Sequence, residues 1–175
     1  PKRRRRRRKR GPRDERPPAP MDDRTERALE FVLRVLDDME IDCDAELGAA
    51  RDDDPNEIRV EITGADSSRV IGKKGQVLSA IQYLVNRVAN RPGEERRYVT
   101  VDAEGYRSRR DDSLAAMAQK LGTQALEQGK IITFEPMNPR DRRVIHLALA
   151  KFDGVMTKSE GEGEDRRVQI IPVRR

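Results

Sequence analysis

Gly72 and Gly75 stand three positions apart, with Lys73 and Lys74 between them. Before them, Ile58, Val60 and Ile62 alternate with charged or polar residues, the period of a half-buried strand. After them, Val77, Leu78, Ile81, Leu84, Val85 and Val88 recur at helical spacing until Asn90, Pro92 and Gly93 stop the pattern. A chain that passes from strand to helix through two glycines has few options. The backbone turns tightly and can come close to a ligand. The helix then opens with unpaired N–H groups and the positive end of its dipole outward. A phosphate placed there meets backbone donors and the ammonium groups of Lys73 and Lys74. Arg69 adds a cation just upstream, and Val70 and Ile71 are expected to line an apolar groove for bases. The plain alternative is a connection between two helices whose glycines serve geometry only.

The rest of the chain organises around this loop. Ala28, Leu29, Val32, Leu33, Leu36 and Met39 predict a first helix over residues 25–40, with Asp23 and Glu26 as its capping box. Residues 43–50 read as a weak strand, and Asp52, Pro55 and Asn56 as a turn. Asp66 or Ser67 would cap a very short helix ending at Gly72. Val99 and Val101 mark another strand. Glu104 and Gly105 form a hinge, after which Leu114, Met117, Ala118, Leu121 and Ala125 share one helix face. A short strand over residues 131–134 follows. Asn138 then caps a helix with Pro139 at its first position, carrying Val144, Ile145, Ala148, Leu149 and Phe152 on one side. Val155 begins a strand, residues 159–166 read as a charged loop, and residues 168–171 as a last strand. The expected class is α+β, in two units of residues 23–103 and 104–175 behind a basic arm of residues 1–22.

Arg142 and His146 lie four apart on the second unit's last helix, so they face one side. A guanidinium holds a phosphate bidentately, and an imidazole can donate a hydrogen bond or stack on a base. Arg140 and Arg143 extend the basic character. A single histidine at a helix edge is more often packed and structural, so the pair alone decides little.

Charge is unevenly spread. Residues 1–20 hold eleven Lys/Arg against two Asp/Glu, and the remaining 155 hold 26 basic and 30 acidic side chains. The arm therefore attracts polyanions without sequence choice, while the body needs placed donors to bind one. With 35% hydrophobic residues the body can still fold. One cysteine, Cys43, excludes an internal disulfide framework and any Cys-based zinc site. The run Asp52, Asp53, Asp54 reads as a solvated acidic loop rather than a metal site. No metal, cofactor or catalytic pair is expected, no apolar run approaches membrane-spanning length, and the chain reads as cytosolic.

The sequence from Val70 to Gly75, followed by an apolar helix to Val88, resembles the KH domain, whose GxxG loop clamps nucleic-acid backbone. The order helix, strand, strand, short helix, loop, helix, strand resembles its type II form. Residues 106–173, with Asn138-Pro139 leading into Arg142 and His146, resemble the R3H domain, a single-stranded nucleic-acid binder. KH followed by R3H resembles the bacterial Jag family, also called KhpB or EloR. The resemblance implies a cytoplasmic single-stranded RNA-binding regulator linked to cell elongation, cell shape and peptidoglycan synthesis. It also implies a small KH partner, KhpA, or a homodimer. Its site residues would be Arg69, Val70, Ile71, Gly72, Lys73, Lys74 and Gly75, with Arg142, Arg143 and His146 as a second set. Two other readings stay open: an interaction scaffold for cell-wall enzymes with RNA secondary, and a single-stranded DNA binder. Many members carry a further N-terminal Jag domain, so functions that depend on it are open here.

Overall fold

The computed structural model describes residues 22–49 and 56–173. Residues 1–21 of the basic arm, the turn at Asp52 and Pro55, and the three consecutive aspartates lie outside the described residues. The chain divides between Glu104 and Gly105 into two compact units.

In the first unit, helix α1 spans Asp23–Asp38. Its cap is Asp22, not Asp23. The Asp22 carboxylate accepts from the N–H groups of Arg24 and Thr25 at 3.0 and 2.9 Å, and the Thr25 hydroxyl returns the bond from the Asp22 N–H at 2.7 Å. The box closes one residue early because threonine, like glutamate, can accept at the third helical position. Strand β1 spans Cys43–Gly48 and β2 spans Glu57–Gly64, paired antiparallel. Strand β3, Tyr98–Ala103, pairs parallel with β2, giving the order β1-β2-β3. A parallel pair needs a crossover. Here it is supplied by α2, Ser67–Ile71, and α3, Gln76–Ala89. Ile58, Val60 and Ile62 of β2 are fully buried, and Val32 and Leu36 of α1 and Leu78, Ile81 and Val85 of α3 are buried to within a few per cent. The apolar stripe of α3 is wider than its buried face, since Leu84 and Val88 are 48% and 41% exposed.

Among the described residues strand β3 has no strand partner on its outer edge, and α3 takes that place. Gln82, Asn86 and Asn90 are spaced one turn apart. Asn86 donates to the Val99 carbonyl at 2.7 Å and accepts from the Val99 N–H at 2.9 Å. Asn90 does the same for Arg97, at 2.8 Å both ways. Gln82 accepts from the Val101 N–H at 3.1 Å. Three side-chain amides thus satisfy a backbone edge that would otherwise stay open.

In the second unit, α4 spans Tyr106–Gln128 and α5 spans Pro139–Leu149. Asn138 caps α5 by accepting from the Asp141 N–H at 2.8 Å. Strands β4 (Ile132–Thr133), β5 (Val155–Glu160) and β6 (Arg167–Pro172) form an antiparallel sheet in the order β4-β6-β5. Residues 155–160 form a regular strand, so Ser159 belongs to β5 and not to the following loop. Leu114, Ala118, Ala125, Ile145, Leu149, Val168 and Ile170 make the core, whereas Met117 turns out to solvent. The two helices approach closely at Gly122, where a β-carbon would sit 3.1 Å from Leu149 Cδ2. Both units are α+β.

Candidate nucleic-acid interface

The loop between α2 and α3 is set by its two glycines. Gly72 ends α2, donating to the Ser68 carbonyl at 3.0 Å, with φ 67° and ψ −171°. That region of backbone space is essentially open to glycine alone. A β-carbon at Gly72 would also lie 2.4 Å from Val77 Cγ2. Lys73 through Gly75 then make one 3-10 turn. Lys74 (φ 53°, ψ 28°) and Gly75 (φ 78°, ψ 18°) are both left-handed, which reverses the chain into α3. Gly75 occupies the cap position of α3, and no side chain caps that end. Its first turn is steadied instead from inside, by the Ser79 hydroxyl donating to the Gly75 carbonyl at 2.8 Å. Lys73 is exposed and Lys74 half-buried at the same helix end. The result is a helix start without a side-chain cap beside two ammonium groups. Gly75 itself is buried, and the N–H groups of Gly75 and Gln76 turn back to the carbonyls of Gly72 and Lys73.

The residues before the loop divide by role. Val70 is fully buried and belongs to the core, so it is not a surface for a base. Ile71, half-buried, is the apolar side chain left at the surface there. Arg69 is tied down. Its guanidinium donates to the carbonyls of Glu40 and Met39 at 3.0 and 3.3 Å and to Asp66 at 3.2 Å. It holds α2 against the end of α1, where unpaired carbonyls attract a cation. Asp66 was a candidate cap for α2, but its side chain makes no capping bond. It accepts from the Asp42 N–H at 3.1 Å instead. That bond, with the Arg69 charge beside it, keeps its carboxyl below the usual aspartate range.

On α5, Arg140 is neutralised by Asp111 at 2.6 and 2.7 Å. Asp141, buried, takes both bonds of Arg110 at 3.0 and 3.1 Å. These pairs join α5 to α4. Arg143 is exposed. Arg142 is half-buried, and its Nε has no hydrogen-bond partner. His146 has both ring nitrogens engaged: Nδ1 is 2.7 Å from Thr157 Oγ1, and Nε2 is 2.9 Å from Ser159 Oγ. Burial, and then the positive charge of Arg142, hold its proton affinity below the usual imidazole value of 6.5. The sequence pattern placed His146 beside Arg142 but gave no sign of the two β5 hydroxyls. A strand over residues 155–160 with Thr157 and Ser159 in alternation would have been the signal.

Among the described residues no group of three or more His, Cys, Asp or Glu could hold a metal ion. No helix among them is long and apolar enough to cross a membrane.

Residues 26–101 match the family model of the KhpA/KhpB KH domain, and residues 112–172 match that of the R3H domain. The chain is 35% identical over 150 residues to the RNA-binding protein KhpB of Clostridium symbiosum, covering 86% of this chain and 66% of that protein. It is 40% identical over 115 residues to the RNA-binding protein KhpB of Bacillus subtilis, covering 65% and 55%. Against the RNA-binding protein KhpB of Streptococcus pneumoniae serotype 2 the figures are 32% over 142 residues, 81% and 42%. The chain therefore spans between 42% and 66% of the length of these relatives.

Proposed function

This chain belongs to the KhpB family, with a KH domain followed by an R3H domain, and from that premise we propose that it binds single-stranded RNA. The observation that carries the reading is the loop of residues 72–75. Its glycine geometry leads the chain into an α3 start that no side chain caps, and two lysines stand beside it. In the proposed mode the phosphates lie across the start of α3, held by backbone N–H groups and by Lys73 and Lys74. A base rests on Ile71. Gly72 and Gly75 shape the loop, while Val70 and Arg69 support it from beneath and behind. Arg142 and Arg143 of the R3H domain offer a further phosphate contact. No bond is made or broken; the consequence of binding is regulatory. In this family the regulated process would be cell elongation, cell shape and peptidoglycan synthesis.

A second reading, as a scaffold for protein partners, is favoured by the outer face of α3. Tyr83, Leu84 and Val88 are 61%, 48% and 41% exposed on one helix. Such a face suits a second KH domain, from KhpA or from another copy of this chain. It is compatible with RNA binding, since the loop lies at the start of α3 and these residues follow it.

The test is a Lys73→Asp/Lys74→Asp variant, titrated with a labelled single-stranded RNA beside the parent and a DNA of equal sequence. The glycines are kept, and aspartate tolerates the left-handed backbone of position 74. RNA affinity is expected to fall by about two orders of magnitude, from two charge-assisted contacts turned repulsive, with an unchanged circular dichroism spectrum. Unchanged affinity would remove the loop from the interface. Equal affinity of the parent for DNA and RNA would remove selectivity for the 2′-hydroxyl.

A further inference from the structure

Donor accounting on α5 separates the two residues that give the R3H helix its pattern. Arg140 is spent on Asp111, and Asp141 on Arg110, so neither charge is available outside the unit. The Arg142 guanidinium makes no hydrogen bond or ion pair among the described residues, and its Nε is buried without a partner. His146 follows one turn later and is fully committed. Strand β5 alternates, with Thr157 and Ser159 half-buried and Lys158 and Glu160 exposed. The two inward hydroxyls meet the two imidazole nitrogens at 2.7 and 2.9 Å. A neutral imidazole has one N–H and one lone pair. Here one hydroxyl accepts the N–H and the other donates to the lone pair. The ring edge then has no donor left for a phosphate. The neighbouring guanidinium and partial burial both disfavour adding a second proton.

We infer that Thr157 and Ser159 are positioning residues that hold His146 as a bridge between α5 and the edge strand β5, leaving Arg142 as the member of the Arg/His pair that takes the phosphate. This rests on the RNA-binding reading above and deepens it. Hydroxyl bonds at both ends of the ring fix its tautomer and its plane. The bridge in turn sets the height of α5 over the sheet, and with it the position of Arg142 one turn earlier.

The chain has one histidine, so its imidazole nitrogens can be read without assignment in the 175-residue chain labelled with 15N-histidine. They would be followed from pH 5 to 8, with and without a twelve-nucleotide oligouridylate. The expected ring titrates below 6.5. A phosphate on Arg142 offsets the guanidinium charge and raises the midpoint, while at pH 8 the ring stays neutral, with one protonated and one bare nitrogen, on adding RNA. Thr157→Val and Ser159→Ala each move the nitrogen shifts, and Thr157→Ser restores them. Arg142→Gln lowers RNA affinity about tenfold, the weight of one charge-assisted contact. An imidazole that is doubly protonated at pH 8 when RNA is bound, or unaltered ring signals in Thr157→Val, would overturn the inference while leaving RNA binding intact. So would an Arg142→Gln variant with parental affinity. A parent protein that does not bind the oligonucleotide overturns the underlying reading, and this one with it.

Discussion

At Gly72 two independent restrictions coincide: a backbone at φ 67°, ψ −171°, and a β-carbon position 2.4 Å from Val77 Cγ2. Gly72→Ala is expected to cost about 3 kcal/mol, combining backbone strain with overpacking. Urea unfolding would measure it. Adding Val77→Ala should recover part of the loss, because it relieves the contact and not the strain. A Gly72→Ala protein as stable as the parent would contradict this account of the loop. The same geometry makes Gly72 a poor place to introduce a charge, since a lost fold and a lost contact would look alike. The sequence shows that glycines are needed at positions 72 and 75. It cannot show which neighbours crowd them, because Val77 reaches Gly72 only through the left-handed turn at Lys74 and Gly75. Val70 and Arg69 carry the same lesson. Both stand beside the loop in sequence, yet one side chain enters the core and the other caps α1. Adjacency along a short helix says little about direction.

At the scale of elements, the edge of β3 depends on amides that hydrophobic periodicity does not register. Asn86→Ala is expected to cost about 2–3 kcal/mol, since it strands both backbone groups of Val99, a residue with no exposure. Thermal or urea unfolding would detect it. A cost near zero would mean that α3 does not serve as a surrogate strand. The elements themselves were legible from period and punctuation: the alternation of β2, the stripe of α3, and the Asn138-Pro139 start of α5 all stand as read. What was not legible follows from long-range packing. Leu84, Val88 and Met117 lie on apolar faces wider than the surfaces that bury them. In sequence β5 runs without a break from Ser159 and Glu160 into the charged, glycine-bearing stretch that ends at Arg166, so its last two residues resemble that loop. Its inward Thr157 and Ser159 are polar because their partner is an imidazole rather than a hydrophobic core.

Across the whole molecule, two routes to RNA compete: nonspecific attraction to the basic residues 2–10, and placed contacts at the loop. They differ in how many phosphates are neutralised, and so in how binding falls with salt. Membership of the KhpB family favours the folded route, since the matched regions begin at residue 26, beyond the basic run. The most direct measurement is the affinity of the chain beginning at residue 21, which keeps the Asp22 cap, for a single-stranded RNA across a salt series. It would be run with and without Lys73→Asp/Lys74→Asp. The account predicts binding with a log–log slope of about −2 to −3, from about four neutralised phosphates, abolished in the variant. Failure of the shortened chain to bind, with the 175-residue chain binding equally in both forms, would contradict it and assign RNA attraction to the basic residues.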